Sequence, residues 1–172
     1  MINISCRSSS KKEQGIKQLL EKIILQYPEK YIFTKDIVIE EGTIPHSHPV
    51  LTLSTKDAYL QNSDLLLSTF IHEQIHWFLS GQNLSVYIEK LKSIYPNIAI
   101  GFPKGAKDEY SSYLHIIVNY LEIYILKAII GEEKASVVLD FLKADHYTEI
   151  YKIIENDYES LTLLFTPLLR TI

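Results

Sequence analysis

The chain has 172 residues, with 17 Lys and Arg against 21 Asp and Glu, for a formal net charge of −4. Its 47% hydrophobic and 22% charged content is that of an ordinary globular domain able to bury a core, so one domain over 1–172 is expected. The acidic balance gives no basic footprint for nucleic acid, and the single cysteine, Cys6, excludes an internal disulfide and fits a reducing, cytoplasmic setting.

From the start, Met1 to Lys12 contains no apolar run long enough for a secretion signal. Lys11 to Gln26 repeats Ile16, Leu19, Leu20, Ile23 and Ile24 at helical spacing and stops at Tyr27-Pro28, so it predicts an amphipathic helix. Tyr31 to Glu40 is rich in β-branched and aromatic residues and predicts a strand, closed by the turn signal Glu41-Gly42. Pro49 to Thr55 alternates and predicts a second strand; the prolyl stretch between them carries His46 and His48. Asp64 to Gly81 predicts a buried helix, capped by Ser63 or Asp64 and ended by Gly81 in the left-handed position. A short helix over Leu84 to Tyr95, a loop over Asn97 to Lys107 and a long helix over Asp108 to Ile130 follow. That last helix holds the most apolar stretch, which Asn119, Glu122 and Lys127 interrupt, so no membrane span is expected. Two amphipathic helices, Glu132 to Lys143 and about Tyr147 to Leu164, complete an α+β, mostly helical fold with a small β-sheet near the N-terminus.

The chemistry concentrates in the buried helix, at His72-Glu73-Gln74-Ile75-His76. Histidines four apart stand one above the other on a helix, so both imidazoles can converge on one Zn²⁺, with Glu73 beside them in reach of a water on the metal. A catalytic zinc usually takes three protein ligands. On the Asp108 to Ile130 helix, His115, Asn119 and Glu122 form one polar stripe, with Glu122 about 20° and Asn119 about 40° from His115 on the wheel. His115 and Glu122 lie about 10 Å apart along the axis, too far for both to bind one ion. His115 is favoured as the third ligand, with Glu122 as the carboxylate that accepts a ligand histidine's ring N–H. Glu122 stays open as the alternative ligand, and Asn119 as a partner within the site or to a backbone group. His46 and His48, spaced by two on an extended segment, are candidates to touch substrate or a developing oxyanion, as are Tyr110, Tyr113 and Tyr120.

The helix Asp64 to Gly81, through its HExxH residues, resembles that of the zincin superfamily of metallopeptidases. It departs from the metzincin branch: Leu79 stands at the glycine of the extended motif, Gln82 at the third histidine, and the only methionine is Met1. The downstream helix makes the layout similar to the gluzincin branch, although Leu126 stands where an acid often follows the ligand glutamate. The resemblance implies a zincin-like domain with a central HExxH helix, in a small uncharacterised bacterial member. It also implies a zinc-dependent peptidase acting on a peptide or protein, with Glu73 as general base. By analogy, the strand over Pro49 to Thr55 is the edge that would hold extended substrate. Two other readings of the same residues stay open, a zinc-binding regulator without hydrolysis and a metal-free helical interaction module.

Overall fold

Residues 2–172 are described by the computed structural model. The fold is α+β and mostly helical, with one small sheet near the N-terminus. The chain forms two compact units, Met1–Ser80 and Gly81–Ile172.

In the first unit Asn3–Cys6 forms β1, Lys11–Ile24 α1, Asp36–Ile39 β2 and Leu51–Leu53 β3. The strands are parallel in the order β1-β2-β3, with Ile37 facing Ile4 on one side and Leu51 on the other. Ile37, Ile39, Leu51 and Leu53 are at most 1% exposed, the continuous apolar burial that parallel strands need. α1 opens on a capping box between Ser10 and Glu13. The Glu13 carboxylate is buried and also accepts from the N–H groups of Ser8 and Glu41, at 2.9 and 3.1 Å. It thereby ties the start of α1 to the chain leaving β2. Burial pushes its pKa up, but the backbone donors outweigh burial and hold it below the usual carboxylate range.

Several expected boundaries move. β1 is an unexpected strand: it is short, lies at the sheet edge and is half-exposed, so it carries little apolar pattern. The strand expected over Tyr31 to Glu40 contracts to Asp36–Ile39. Glu29–Tyr31 turns as a 3-10 helix, and the N–H groups of Phe33 and Thr34 donate to the side chain of Gln74 rather than to a neighbouring strand. The strand expected over Pro49 to Thr55 contracts to Leu51–Leu53. Asp57–Gln61 forms a short helix, α2, followed by Ser63–Ser80 as α3. The cap of α3 is Asn62, one residue before the expected pair: its Oδ1 accepts from Asp64 N at 3.0 Å. Gly81 follows α3 without entering the left-handed region; among the described residues the glycines that do are Gly42, Gly101 and Gly131.

The second unit contains α4 (Ser85–Ile94), α5 (Glu109–Ile130), α6 (Glu132–Asp145), α7 (Thr148–Asn156) and α8 (Tyr158–Leu169). α5 packs against each of the other four. It starts at Asp108, whose carboxylate accepts from Ser111 N at 2.7 Å. It ends at Gly131, with φ 85° and ψ 163°, a conformation open in practice only to glycine, which lets α6 begin at the next residue. By length and composition α5 could cross a bilayer, yet 61% of its most apolar window is buried inside the protein, as in a core helix. The helix expected over about Tyr147 to Leu164 is two helices, α7 and α8. The break falls at Asp157, which accepts the Tyr95 hydroxyl at 2.8 Å. Ile150, Tyr151, Ile154, Leu161 and Phe165 keep one helical phase through the break, so the apolar pattern does not reveal it.

Candidate metal centre

α3 is apolar nearly all round, and its two histidines, Glu73 and Gln74 fall within little more than one turn. His72 is 8% exposed and Glu73 5%, while Gln74 is fully buried and His76 partly so. Gln74 has a structural task in the first unit. Its Oε1 accepts from Phe33 N and Thr34 N at 2.8 and 2.9 Å, and its Nε2 donates to Thr34 O at 2.9 Å. The middle residue of the motif thus locks α3 to the segment leading into β2.

The helix brings the Nε2 atoms of His72 and His76 to 3.3 Å from each other. Two ligands of a tetrahedral zinc, each at about 2.0–2.1 Å, have nitrogens about 3.3–3.4 Å apart. The observed separation is therefore that of a ligand pair, and it follows directly from the four-residue spacing. Between two neutral imidazoles at most one proton can fill that gap. His115 completes the group: one ring nitrogen from each of His72, His76 and His115 lies within 4.8 Å of the others. On α5, His115 Nδ1 is 2.7 Å from Ser111 O, so it is the protonated nitrogen that donates there. Its Nε2 is then the basic nitrogen suited to a cation. Three imidazoles form a donor set that suits Zn, Cu, Fe or Ni, so this histidine group could hold a metal ion.

Glu122 is not a member of that group. It is 1% exposed and accepts the Tyr151 hydroxyl at 2.9 Å. Burial and then the Glu122 carboxylate push the Tyr151 pKa well up, so this phenol keeps its proton and remains a donor. Asn119, one turn along α5 from His115, is fully buried, and neither its Oδ1 nor its Nδ2 has a hydrogen-bond partner. His46 and His48 are exposed on the segment before β3. His46 exchanges both backbone hydrogen bonds with Thr52, at 3.0 and 2.8 Å, so the outer edge of β3 is already taken at that residue. β3 does lie at the edge of the sheet, as the expected substrate-holding strand would, with Thr52 already paired there. His48 stacks on Trp77, centroids 4.3 Å apart, and Trp77 Nε1 donates to Ser47 O at 2.8 Å. The same loop is thereby fastened to α3 one residue beyond His76. Of the three candidate tyrosines, Tyr113 donates to Tyr95 O and Tyr120 to Thr162 Oγ1, while Tyr110 is exposed.

The sequence reading missed the residues that adjoin His115 within the second unit. The Tyr147 ring lies against the His115 imidazole, centroids 4.2 Å apart and 31° between planes. His146 Nδ1 is 2.8 Å from Asp145 Oδ2, and its ring meets those of Tyr147 and Tyr151. The available signal was the run Asp145-His146-Tyr147, which stands between the two expected helices with only Tyr147 at the start of the second. Comparison with protein-family models, with curated proteins and with solved structures finds no match to the chain. The site thus rests on its own geometry: an α+β fold carrying three histidines that could hold a metal ion.

Proposed function

We propose that the chain is a zinc-dependent metallopeptidase in which His72, His76 and His115 hold the ion through ring nitrogens and Glu73 is the general base. The observation that supports this most is the 3.3 Å convergence of the two α3 histidines, with a His115 nitrogen within 4.8 Å. Zinc, when bound, supplies a Lewis acid that polarises a carbonyl and makes water nucleophilic near neutral pH. Glu73 follows His72 in the same buried turn, about 60° round the wheel from His76, and is the carboxylate this reading assigns to that water. It accepts the proton released as the water oxygen bonds to the carbonyl carbon. It then delivers that proton to the amide nitrogen as the C–N bond breaks. One water is consumed, divided between a new carboxyl and a new amine. Peptide or protein is the substrate class this chemistry serves.

A second reading is a zinc-binding regulator without hydrolysis. It is favoured by the edge of β3, where His46 already pairs with Thr52. One experiment separates the two. Elemental analysis of natively purified protein should give one zinc per chain, and His72→Ala should lose it. Glu73→Gln should keep the zinc while cleavage across a mixed peptide library falls by at least about 10²-fold. Zinc with no cleavage by the parent selects the regulator; absence of zinc defeats both readings.

A further inference from the structure

In the first unit the chain leaving β2 and the chain leaving β3 line a cleft of about 370 Å³, the size of a site for a small molecule. Ligands of open parallel sheets bind beyond this carboxyl end of the strands. Glu41, Gly42 and Thr43 come from the first of these segments, and Ser54, Thr55 and Lys56 from the second. Lys12 and Asp57, at the starts of α1 and α2, complete the lining. Gly42 has φ 80°, a turn that favours glycine, and a Cβ there would meet no atom within 4 Å, so the space beside its backbone is open. Ser54 is 3% exposed, and its hydroxyl is buried with no hydrogen-bond partner. That is a costly state for a group that one χ1 step can redirect.

The lining narrows the ligand. Among the described residues it has no apolar side chain, so nothing there suits a base, an aromatic ring or an acyl chain. Its charges balance, Lys12 and Lys56 against Glu41 and Asp57. A simple anion such as phosphate is poorly served. The Glu13 carboxylate already accepts from the N–H groups of Ser8, Ser10 and Glu41, at 2.9, 3.3 and 3.1 Å, and so holds the place at the start of α1 that a bound anion takes. Lys12 Nζ lies 3.3 Å from Asp57 Oδ1, so opposite charges stand side by side in the lining. The ligand's own charges must then be as close. The ammonium and carboxylate of one α-amino acid, joined through a single carbon, meet that need; each further residue would spread them by about 3.5 Å. The Lys12 and Asp57 side chains are 52% and 71% exposed, so their pair is weak in water and yields to a ligand that satisfies both. We propose that this cleft binds a free α-amino acid, its carboxylate on Lys12 and Lys56, its ammonium on Asp57 and Glu41, and Ser54 turned to donate to the carboxylate. The residues are separate from the histidine group, and the proposal stands whether or not the chain is a peptidase.

The test titrates natively purified protein with L-serine and follows the backbone amides by NMR. The Gly42, Ser54 and Thr55 amides should shift and saturate with a Kd of about 1 mM or below. Acetate, methylamine and inorganic phosphate, each carrying one sign of charge, should bind at least about tenfold more weakly. Lys12→Gln and Ser54→Ala should each weaken L-serine binding about tenfold, the loss of one hydrogen bond to a charged group. Both variants should fold as the parent does, since Lys12 is exposed and the Ser54 hydroxyl has no partner to lose. Phosphate or acetate binding as tightly as L-serine would make the cleft a plain anion site and overturn the proposal. Unchanged affinity in either variant, or no shift at those three amides, also overturns it. So do shifts confined to His72 and His76, because the amino acid would then be held at the histidine group.

Discussion

Replacing Gln74 by leucine keeps roughly the same side-chain size in α3 but removes three hydrogen bonds at once, at 2.8, 2.9 and 2.9 Å. Gln74 is fully buried, whereas Phe33 and Thr34 are half-buried, so water can reach some of the orphaned backbone groups. A net loss of about 1 kcal/mol per bond is then appropriate, and the total is about 3 kcal/mol. Urea unfolding followed by circular dichroism should show that loss, and hydrogen exchange should show the Phe33 and Thr34 amides exposed. Gln74→Glu sharpens the test. A carboxylate still accepts both N–H groups but sets an oxygen against Thr34 O, where the amide donated. Only the protonated acid restores that donor. The folded-state pKa is thus raised above the unfolded value. The restored stability is fully present below the unfolded pKa and is lost as pH rises through the folded one. Gln74→Glu should approach the parent in acid and fall away towards neutrality. A leucine variant within 1 kcal/mol of the parent, or a glutamate variant most stable at neutral pH, refutes the reasoning.

Three further outcomes follow from the same physical picture. Zinc at about 100-fold its dissociation constant should stabilise the protein by about 2.7 kcal/mol in urea unfolding, and His72→Ala should abolish the effect. The Glu13 carboxylate is held below its ordinary pKa, so its contribution is present above the unfolded pKa and is lost as pH falls through the folded one. Glu13→Gln should flatten the acid limb of the stability profile, as read by melting temperature against pH. Asn119 buries an amide with neither polar atom paired, so Asn119→Leu should unfold no more easily than the parent. A loss beyond about 1.5 kcal/mol in urea would show that the amide has a partner.

How legible the molecule was depends on what carried each signal. α1, α4 and α6 were readable from apolar residues at helical spacing, and α3 and α5 from long apolar runs without internal proline or glycine, and the fold class follows from them. β1 and α2 were not, being four and five residues long with little periodicity. The break at Asp157 was invisible because the buried residues on either side share one phase. At the site, His72 and His76 come together by local geometry alone, which is why their spacing announced them. The meeting with His115 depends on tertiary structure; the sequence showed only a polar stripe on an apolar helix. Gln74 and Tyr147 were missed for a related reason. The first bonds to backbone some 40 residues earlier in the chain, and the second is distinguished by a backbone conformation.

The histidine pair on α3 also bears on the proposal that this turn holds a cation. Helical geometry sets the two Nε2 atoms at 3.3 Å, and the three bonds of Gln74 fasten the same turn to Phe33 and Thr34. One shared proton would satisfy that pair as an N–H···N hydrogen bond. His115, whose Nδ1 proton is directed at Ser111 O, brings a further ring nitrogen within 4.8 Å. In the proposed reading a single divalent ion takes a lone pair from each of the three histidines, a group that could hold a metal ion. The fold therefore sets two histidines by helix periodicity and adds a third from another segment with its tautomer already chosen, an order of construction suited to binding a metal.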